Sequence, residues 1–508
     1  VLKVKVFDID FGKEEVVLHI KDAREWGLLP QDRVKIKAKS GSTTAIINTT
    51  KGLVKPGEIG VFSTITEGLG LKNRDRVEIH PIERPESVEF IKKKLRGQEL
   101  DKREIESIVN DIVQKNLSLI DLSAFVCALD MRDATMAEVE HLTRAMTETG
   151  QMLELPEDAY DKHSLGGVPG DKTTLLVVPI VAAAGLTIPK TSSRAITDPA
   201  GTADRMEVFA PVEHDIASIR KIVKQTGGCI VWGGSVDMAP ADDAMIQIEY
   251  PLSLDPRPLL LASIMSKKLA AGAKSVVIDI PMGPQTKVTD YSKARNLAND
   301  FIQLGERLGM KMEVAITYGA QPVGYNMGPA LEAYEALQAL GGKLESSLVE
   351  KATAIAGIIL EVSGVASKNK GMDKALEILE SGKALEKFRQ IIKAQGGKPD
   401  VKPSDIKKLF GKQTAVIKST SRGYVTRINN RDLVNIAKGA GAPGNKGAGV
   451  VLHNKGGDKV EKGTPLFTIY AEKKYKLEFA EELAKKTMPV KVEGMLLEEI
   501  PGAVISRH

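Results

Sequence analysis

Cysteine is nearly missing from this chain: 508 residues carry two, Cys127 and Cys229. Two do not make a disulfide framework or a metal knuckle, and so little thiol points to a reducing, cytoplasmic setting. The seven histidines are scattered, with no HExxH pair and no Cys/His cluster. No metal is required by the residues in view. No apolar run reaches the roughly 18–20 residues that span a bilayer. The first residues alternate charged and apolar, unlike a signal peptide. A dominant charge is missing too. The 71 basic and 66 acidic residues leave a net +5, which gives no case for nucleic acid as the main partner but suits anionic substrates.

What is present is an ordinary globular composition, 42% hydrophobic and 27% charged, in a chain long enough for several domains. It is organised around residues 161–205. Lys162, Ser164, the glycine pair Gly166 and Gly167, then Lys172, Thr173 and Thr174 precede an apolar run from Leu175 to Ala184. Ser192, Ser193, Arg194, Thr197, Asp198 and Thr202 follow as a second polar cluster. Small residues let backbone approach a ligand closely. Amides at a helix start, hydroxyls and a lysine suit an oxyanion such as phosphate. The apolar run predicts a buried helix carrying the loop, stopped at Gly185. The same pattern also fits a plain turn and helix start, so local pattern leaves both readings open. A nucleotide-triphosphate loop is excluded, because Asp171 separates Gly170 from Lys172.

Around this stretch the period of the pattern changes. Residues 1–84 alternate as strands do. Gly27-Leu28-Leu29-Pro30-Gln31-Asp32-Arg33-Val34-Lys35-Ile36 is repeated as Gly70-Leu71-Lys72-Asn73-Arg74-Asp75-Arg76-Val77-Glu78-Ile79. Two such halves predict a small pseudo-symmetric β barrel, double-psi in type. Residues 85–160 turn helical, with Asp121 and Asp133 as expected caps and Met131, Met136, Met146 and Met152 as core filling. Further helices of this domain are expected near 240–272. Residues 161–413 read as a central α/β domain with a polar linker from about 396. Residues 414–508 return to β, and 447–466 read as a hairpin of a lipoyl-like barrel. Lys455 and Lys459 lack a Met-Lys context, so no prosthetic group is expected. In residues 255–271, Pro256 places Asp255 at a helix N-cap, and Ser263 and Lys267, four apart, share one face.

KHSLGGVPGDKTT followed by SSRAITDPAGTADRME resembles the paired signature of the thymidine and pyrimidine nucleoside phosphorylases, from about residue 87 onward. With its extra N-terminal segment and particular replacements, the chain resembles an archaeal branch of that family, the AMP phosphorylases. The resemblance implies a multidomain α/β protein: helical domain, α/β domain and C-terminal α+β domain. It implies phosphorolysis of AMP, alone or together with CMP and UMP, giving free base and ribose 1,5-bisphosphate. Phosphate is the co-substrate, with no other cofactor, and the assembly is a homodimer or larger.

Carried over residue by residue, Lys162, Ser164, Thr174 and Ser192 match phosphate ligands. Gly167, Ser193, Arg194, Ala195, Ile196, Thr197, Asp198, Thr202, Ser263 and Lys287 match positions around AMP. Lys267 lies on the base side, and Asp255 matches the proposed proton donor. The family's base-reading arginine is replaced, at about Ile248, which argues against pyrimidine specificity. Lys162, Lys172, Arg194, Lys267 and Lys287 are expected to converge on two phosphate groups. The alternatives are a pyrimidine nucleoside phosphorylase, an anthranilate-type phosphoribosyltransferase, and a non-enzymatic scaffold.

Overall fold

The computed structural model describes residues 1–82, 84–155, 158–195, 198–342 and 346–498. The chain divides into two compact units, residues 1–149 with 240–263, and 150–239 with 264 onward. The first opens with six strands, β1 (Leu2–Val6), β2 (Glu15–His19), β3 (Arg33–Ala38), β4 (Gly41–Thr50), β5 (Glu58–Val61) and β6 (Arg76–Pro81). They close into a barrel in the order β1-β5-β2-β4-β3-β6.

The sequence repeat explains the closure. Each copy forms the end of a short helix, a turn and a strand. Asp32 accepts the amide of Leu29 at 2.7 Å, and the equivalent Asp75 accepts that of Lys72 at 2.8 Å. In both turns the residue before the aspartate is left-handed, Gln31 at φ 76° and Arg74 at φ 75°. The strands that follow pair antiparallel with Ile36 facing Ile79. These are equivalent positions of the repeat, so the pseudo-dyad passes through that pair.

The same unit continues as a helical bundle: Ser87–Leu95, Lys102–Val113, Leu119–Arg132 and Met136–Glu148. Ala241, Met245, Ile248, Leu259 and Ala262 join its apolar core from far along the sequence. Buried Lys94 pairs with buried Glu138 at 2.7 Å. Three details differ from the sequence reading. The helix caps are Ser118 and Thr135, each closing a reciprocal capping box. Asp121 is the third residue of its box, and Asp133 ends the preceding helix at φ 55°. Of the methionines, Met146 is buried, whereas Met131 and Met152 are exposed.

The second unit is built on parallel strands β7 (Ala159–Ser164), β8 (Ile188–Ser192), β9 (Gly228–Trp232), β10 (Ala273–Met282) and β11 (Lys311–Tyr318). The order is β11-β10-β7, with β8-β9 joined through a parallel bridge from Ala159 to Thr187. From Val276 to Met282 β10 is apolar except for Asp279, as a strand covered on both faces requires. The helix Thr174–Ala183 is apolar all round, is buried along most of its length, and packs into the largest core cluster. Gly185 follows it in the left-handed region.

The chain then forms β12 (Asn326–Met327), β13 (Gln413–Lys418), β14 (Gly423–Ile428), β15 (Gly449–Leu452), β16 (Lys459–Val460), β17 (Pro465–Ala471) and β18 (Val490–Glu493). They make two small sheets, β12-β15-β17-β13 and β16-β14-β18. β12, in the turn at 324–328, pairs antiparallel with β15 of the C-terminal region. The expected linker contains a short helix, Pro403–Lys407. No described helix is long and apolar enough to cross a membrane.

Candidate functional site

β7 delivers Lys162, His163 and Ser164 to the carboxyl ends of a parallel sheet, where open α/β folds take ligands. Lys162 is 2% exposed. Its Nζ donates to Thr173 Oγ1 at 3.0 Å, and among the described residues no carboxylate pairs with it. Burial lowers its pKa, with Asp171 and Asp279 opposing and Lys351 and Arg205 reinforcing. The nearest acids are already engaged. Asp171 accepts from Thr173 Oγ1 at 2.6 Å, from Lys351 Nζ at 3.0 Å and from Ser164 Oγ at 3.3 Å. Burial would raise its pKa, but Lys351 and Lys162 outweigh that and hold it far below the usual carboxylate range. Asp279 pairs with Lys351 at 2.8 Å and accepts from Thr317 at 2.5 Å. Lys162 is thus a buried amine with one hydroxyl partner among the described residues, an arrangement that suits an anion.

Behind it lies a second charged group. Asp161 pairs with Lys268 at 2.7 Å and Lys190 at 3.4 Å, all three buried. Two ammoniums on one carboxylate leave an excess of positive charge. Burial brings Lys190 down to about 7 against the pull of Asp161. Burial and the surrounding lysines, Lys268 first, hold His163 well below its ordinary pKa, so its imidazole is neutral at neutral pH.

Residues 192–195 and 198–205 form a second wall. Ser192 Oγ donates to the carbonyl of Val231 at 3.1 Å. The Asp204 carboxylate gathers the amides of Ala195 at 2.7 Å and Gly201 at 2.8 Å. The chain folds back so closely that a Cβ on Gly201 would lie 2.4 Å from the Arg194 carbonyl carbon. Ala203 N donates to Ser193 O at 3.2 Å, and Thr202 begins a short helix there. Arg205 joins the two walls. It donates to the carbonyls of Asp171 and Ala200, both at 2.7 Å, and pairs with buried Glu332 at 2.6 Å. Gly167, at φ +81°, lies against the backbone of Thr286 and Lys287; an added Cβ would meet Lys287 N at 3.4 Å.

Three of the expected residues, Lys172, Arg194 and Asp255, are held otherwise than the sequence reading expects. Lys172 is fully buried and spent. Its Nζ pairs with Glu335 at 2.8 Å and donates to the carbonyls of Gly170 and Val323 at 2.9 Å and Asn326 at 3.2 Å. It holds the loop's shape and does not join a convergent set of cations. Arg194 is likewise committed, to Asp204, Glu207 and Glu213, and lies over the Trp232 ring at 5.0 Å. Ile196 and Thr197 lie outside the described residues. The helix Arg257–Ala270 starts later than predicted: Pro256 closes its first turn by accepting from Leu260 N, so Asp255 precedes the cap. Asp255 and Ser263 belong to the first unit, Lys267 and Lys287 to the second. Ser164 ends β7, Ser192 ends β8, and Thr174 is the first residue of the buried helix. Lys351, Asp279, Asp204 and Arg205 lie beyond the residues the sequence pattern singles out. Asp204 and Arg205 stand inside the second motif, whereas Lys351 carries no local signal.

Asp198 provides a pH test. Burial raises its pKa to about 6, against Arg205 and with Glu332 and Asp171 adding. The folded protein therefore binds this proton more tightly than the unfolded chain does. Its contribution to stability falls as pH rises from about 4 to about 6, and is level above that. Asp198→Asn removes the penalty. The variant is expected to exceed the parent in stability at pH 7.5 by at most about 3 kcal/mol, at roughly 1.4 kcal/mol per pKa unit. The gap closes near pH 4. Urea unfolding at the two pH values checks this.

Comparison with known proteins identifies the domains. Residues 88–150 match the helical bundle domain of a glycosyl transferase family, and 156–385 its a/b domain. Residues 424–491 match a pyrimidine nucleoside phosphorylase C-terminal domain. The chain is 51% identical over 501 residues to an AMP phosphorylase of Pyrococcus furiosus, covering 98% of this chain and 99% of that one. It is 50% identical over 501 residues to one of Methanococcoides burtonii, covering 98% of each. Among solved structures, an anthranilate phosphoribosyltransferase of Thermus thermophilus matches with a TM-score of 0.52 at 20% identity, covering 60% of this chain and 98% of that one. At that identity the likeness shows the fold alone.

Proposed function

The chain belongs to the AMP phosphorylases, within the glycosyl transferase family whose helical and α/β domains it carries, and from that premise we propose how its residues divide the work. The enzyme cleaves AMP with phosphate. The C1′–N9 bond breaks, its electron pair leaves with adenine, and a phosphate oxygen bonds to C1′. The products are adenine and ribose 1,5-bisphosphate. The proton that adenine gains at N7 comes from Asp255 and is restored from the attacking phosphate, so the step balances.

Lys162, Ser164, Thr174 and Ser192 hold the attacking phosphate. The observation that carries this is the buried Lys162 ammonium, with a hydroxyl partner and no paired carboxylate among the described residues. Gly167, Ser193 to Asp198, Thr202, Ser263 and Lys287 surround the nucleotide, and Lys267 stands on the base side. Holding two reactants in line supplies up to about 7–11 kcal/mol of the barrier. The absence of an arginine at Ile248 favours a purine, with CMP and UMP as further substrates. No prosthetic group or metal takes part, the C-terminal region is lipoyl-like in plan, and the protein works as a cytoplasmic homodimer or larger assembly.

The test is a product assay on AMP, adenosine and thymidine, with and without phosphate. Phosphate-dependent adenine from AMP, with adenosine and thymidine cleaved more slowly, is the expected result. Faster cleavage of thymidine would overturn the assignment.

A further inference from the structure

Lys455 lies in the turn between β15 and β16, far in sequence from the phosphate loop. Its Nζ donates to the carbonyl of Pro322 at 2.6 Å and also to that of Gly324, and stands 5.0 Å from the centre of the Tyr325 ring. The turn is held to the same strip by Gly456 N on Gln321 Oε1 at 2.9 Å and Leu452 N on Tyr325 O at 2.8 Å. Asp458 accepts the Lys455 amide at 2.7 Å, which fixes the turn itself.

The other side of the strip is the floor of the phosphate loop. Val323 N donates to Pro169 O at 3.1 Å. Lys172 takes the carbonyls of Val323 and Asn326 at 2.9 and 3.2 Å. Glu335 receives the amides of Tyr325 and Asn326, both at 2.9 Å, and pairs with Lys172. Gly170 rests so close that a Cβ would lie 2.8 Å from Val323 O. Carbonyls 322 and 324 therefore go to one lysine and 323 and 326 to another. The strip is a spacer between two ammoniums, and Gly170 and Lys172 lead directly into Thr173, the partner of Lys162.

We propose that Lys455 is a positioning residue for phosphate binding, acting through the Pro322–Asn326 strip on the Gly170–Thr173 loop. The proposal rests on the assignment of that loop to the attacking phosphate. The charged groups facing Lys455 are Lys172, Glu335 and Asp458. Burial, with Lys172 adding, lowers its pKa to about 7 against Glu335 and Asp458. The clamp is thus charged near pH 6 and mostly neutral by pH 8.5.

Lys455→Met keeps the stem and removes the ammonium. It is expected to raise KM for phosphate about three- to ten-fold near pH 6, leaving kcat and KM for AMP within about twofold. The variant-to-parent ratio of phosphate KM should fall towards one by pH 8.5; taking the ratio cancels the ionisation of phosphate itself. Lys455→Arg, which stays charged, should match the parent near pH 6 and show the lower phosphate KM at pH 8.5. An unchanged phosphate KM at pH 6, or a ratio independent of pH, overturns the proposal. If Lys455→Met does not fold, the pH response of Lys455→Arg decides alone. Lys162→Met, measured alongside, separates the two failures. If it too leaves phosphate KM unchanged, the loop assignment is wrong; if it alone raises it, Lys455 is not the positioning group.

Discussion

Lys162→Met is expected to lower kcat/KM for phosphate by about 10²–10³, the cost of removing one preorganised donor from a water-excluded site. The same substitution should leave stability unchanged or raise it. A lysine 2% exposed, whose Nζ has a threonine hydroxyl and no paired carboxylate among the described residues, sits in the fold at a cost. Methionine fills most of the volume and carries no charge to desolvate. A group retained against the stability of its own fold is the mark of binding or chemistry. Phosphate titrations at saturating AMP, with urea unfolding of both proteins, check the two halves together. A variant that is destabilised while its phosphate KM stays unchanged would show Lys162 to be structural.

Asp255→Asn is expected to lower kcat for AMP by about 10²–10⁴, the usual worth of general-acid help, with KM for AMP nearly constant. The two side chains are close in shape, so the change isolates the proton. A carboxyl donates near neutral pH only beside an anion that raises its proton affinity, and a phosphorylated substrate brings one. The discriminating measurement uses an N7-alkylated nucleotide, whose base leaves without being protonated. On that substrate the variant should approach the parent. An equal loss on both substrates would mean that Asp255 orients AMP and does not donate.

Local pattern reached some of this and missed the rest for identifiable reasons. The apolar run after Thr174 forms a buried helix because its residues are apolar on every face, which needs no partner to be read. The ten-residue repeat forecast two matching turns because each carries its own aspartate. Lys172 misled because its partner, Glu335, lies 163 positions on. A lysine beside a glycine loop looks the same whether it awaits a ligand or has spent its charge. Lys351 is silent in the local pattern for the same reason: its ion-pair partners, Asp171 and Asp279, are both distant in sequence. Arg194 matches a position around AMP, and its ion pairs to three carboxylates and its stacking on a tryptophan ring, all set by residues 10 or more positions away, are not visible in the motif itself.

The helical bundle draws part of its core from residues 241–262, although its first four helices end at Glu148. During synthesis, then, the barrel can close as soon as β6 emerges, but the bundle must wait with an open apolar face while roughly ninety intervening residues are made, several seconds or more at ordinary elongation rates. Nascent chains stalled between positions 149 and 240 would be the ones most in need of a chaperone, and those released after about 265 the first to be safe from aggregation.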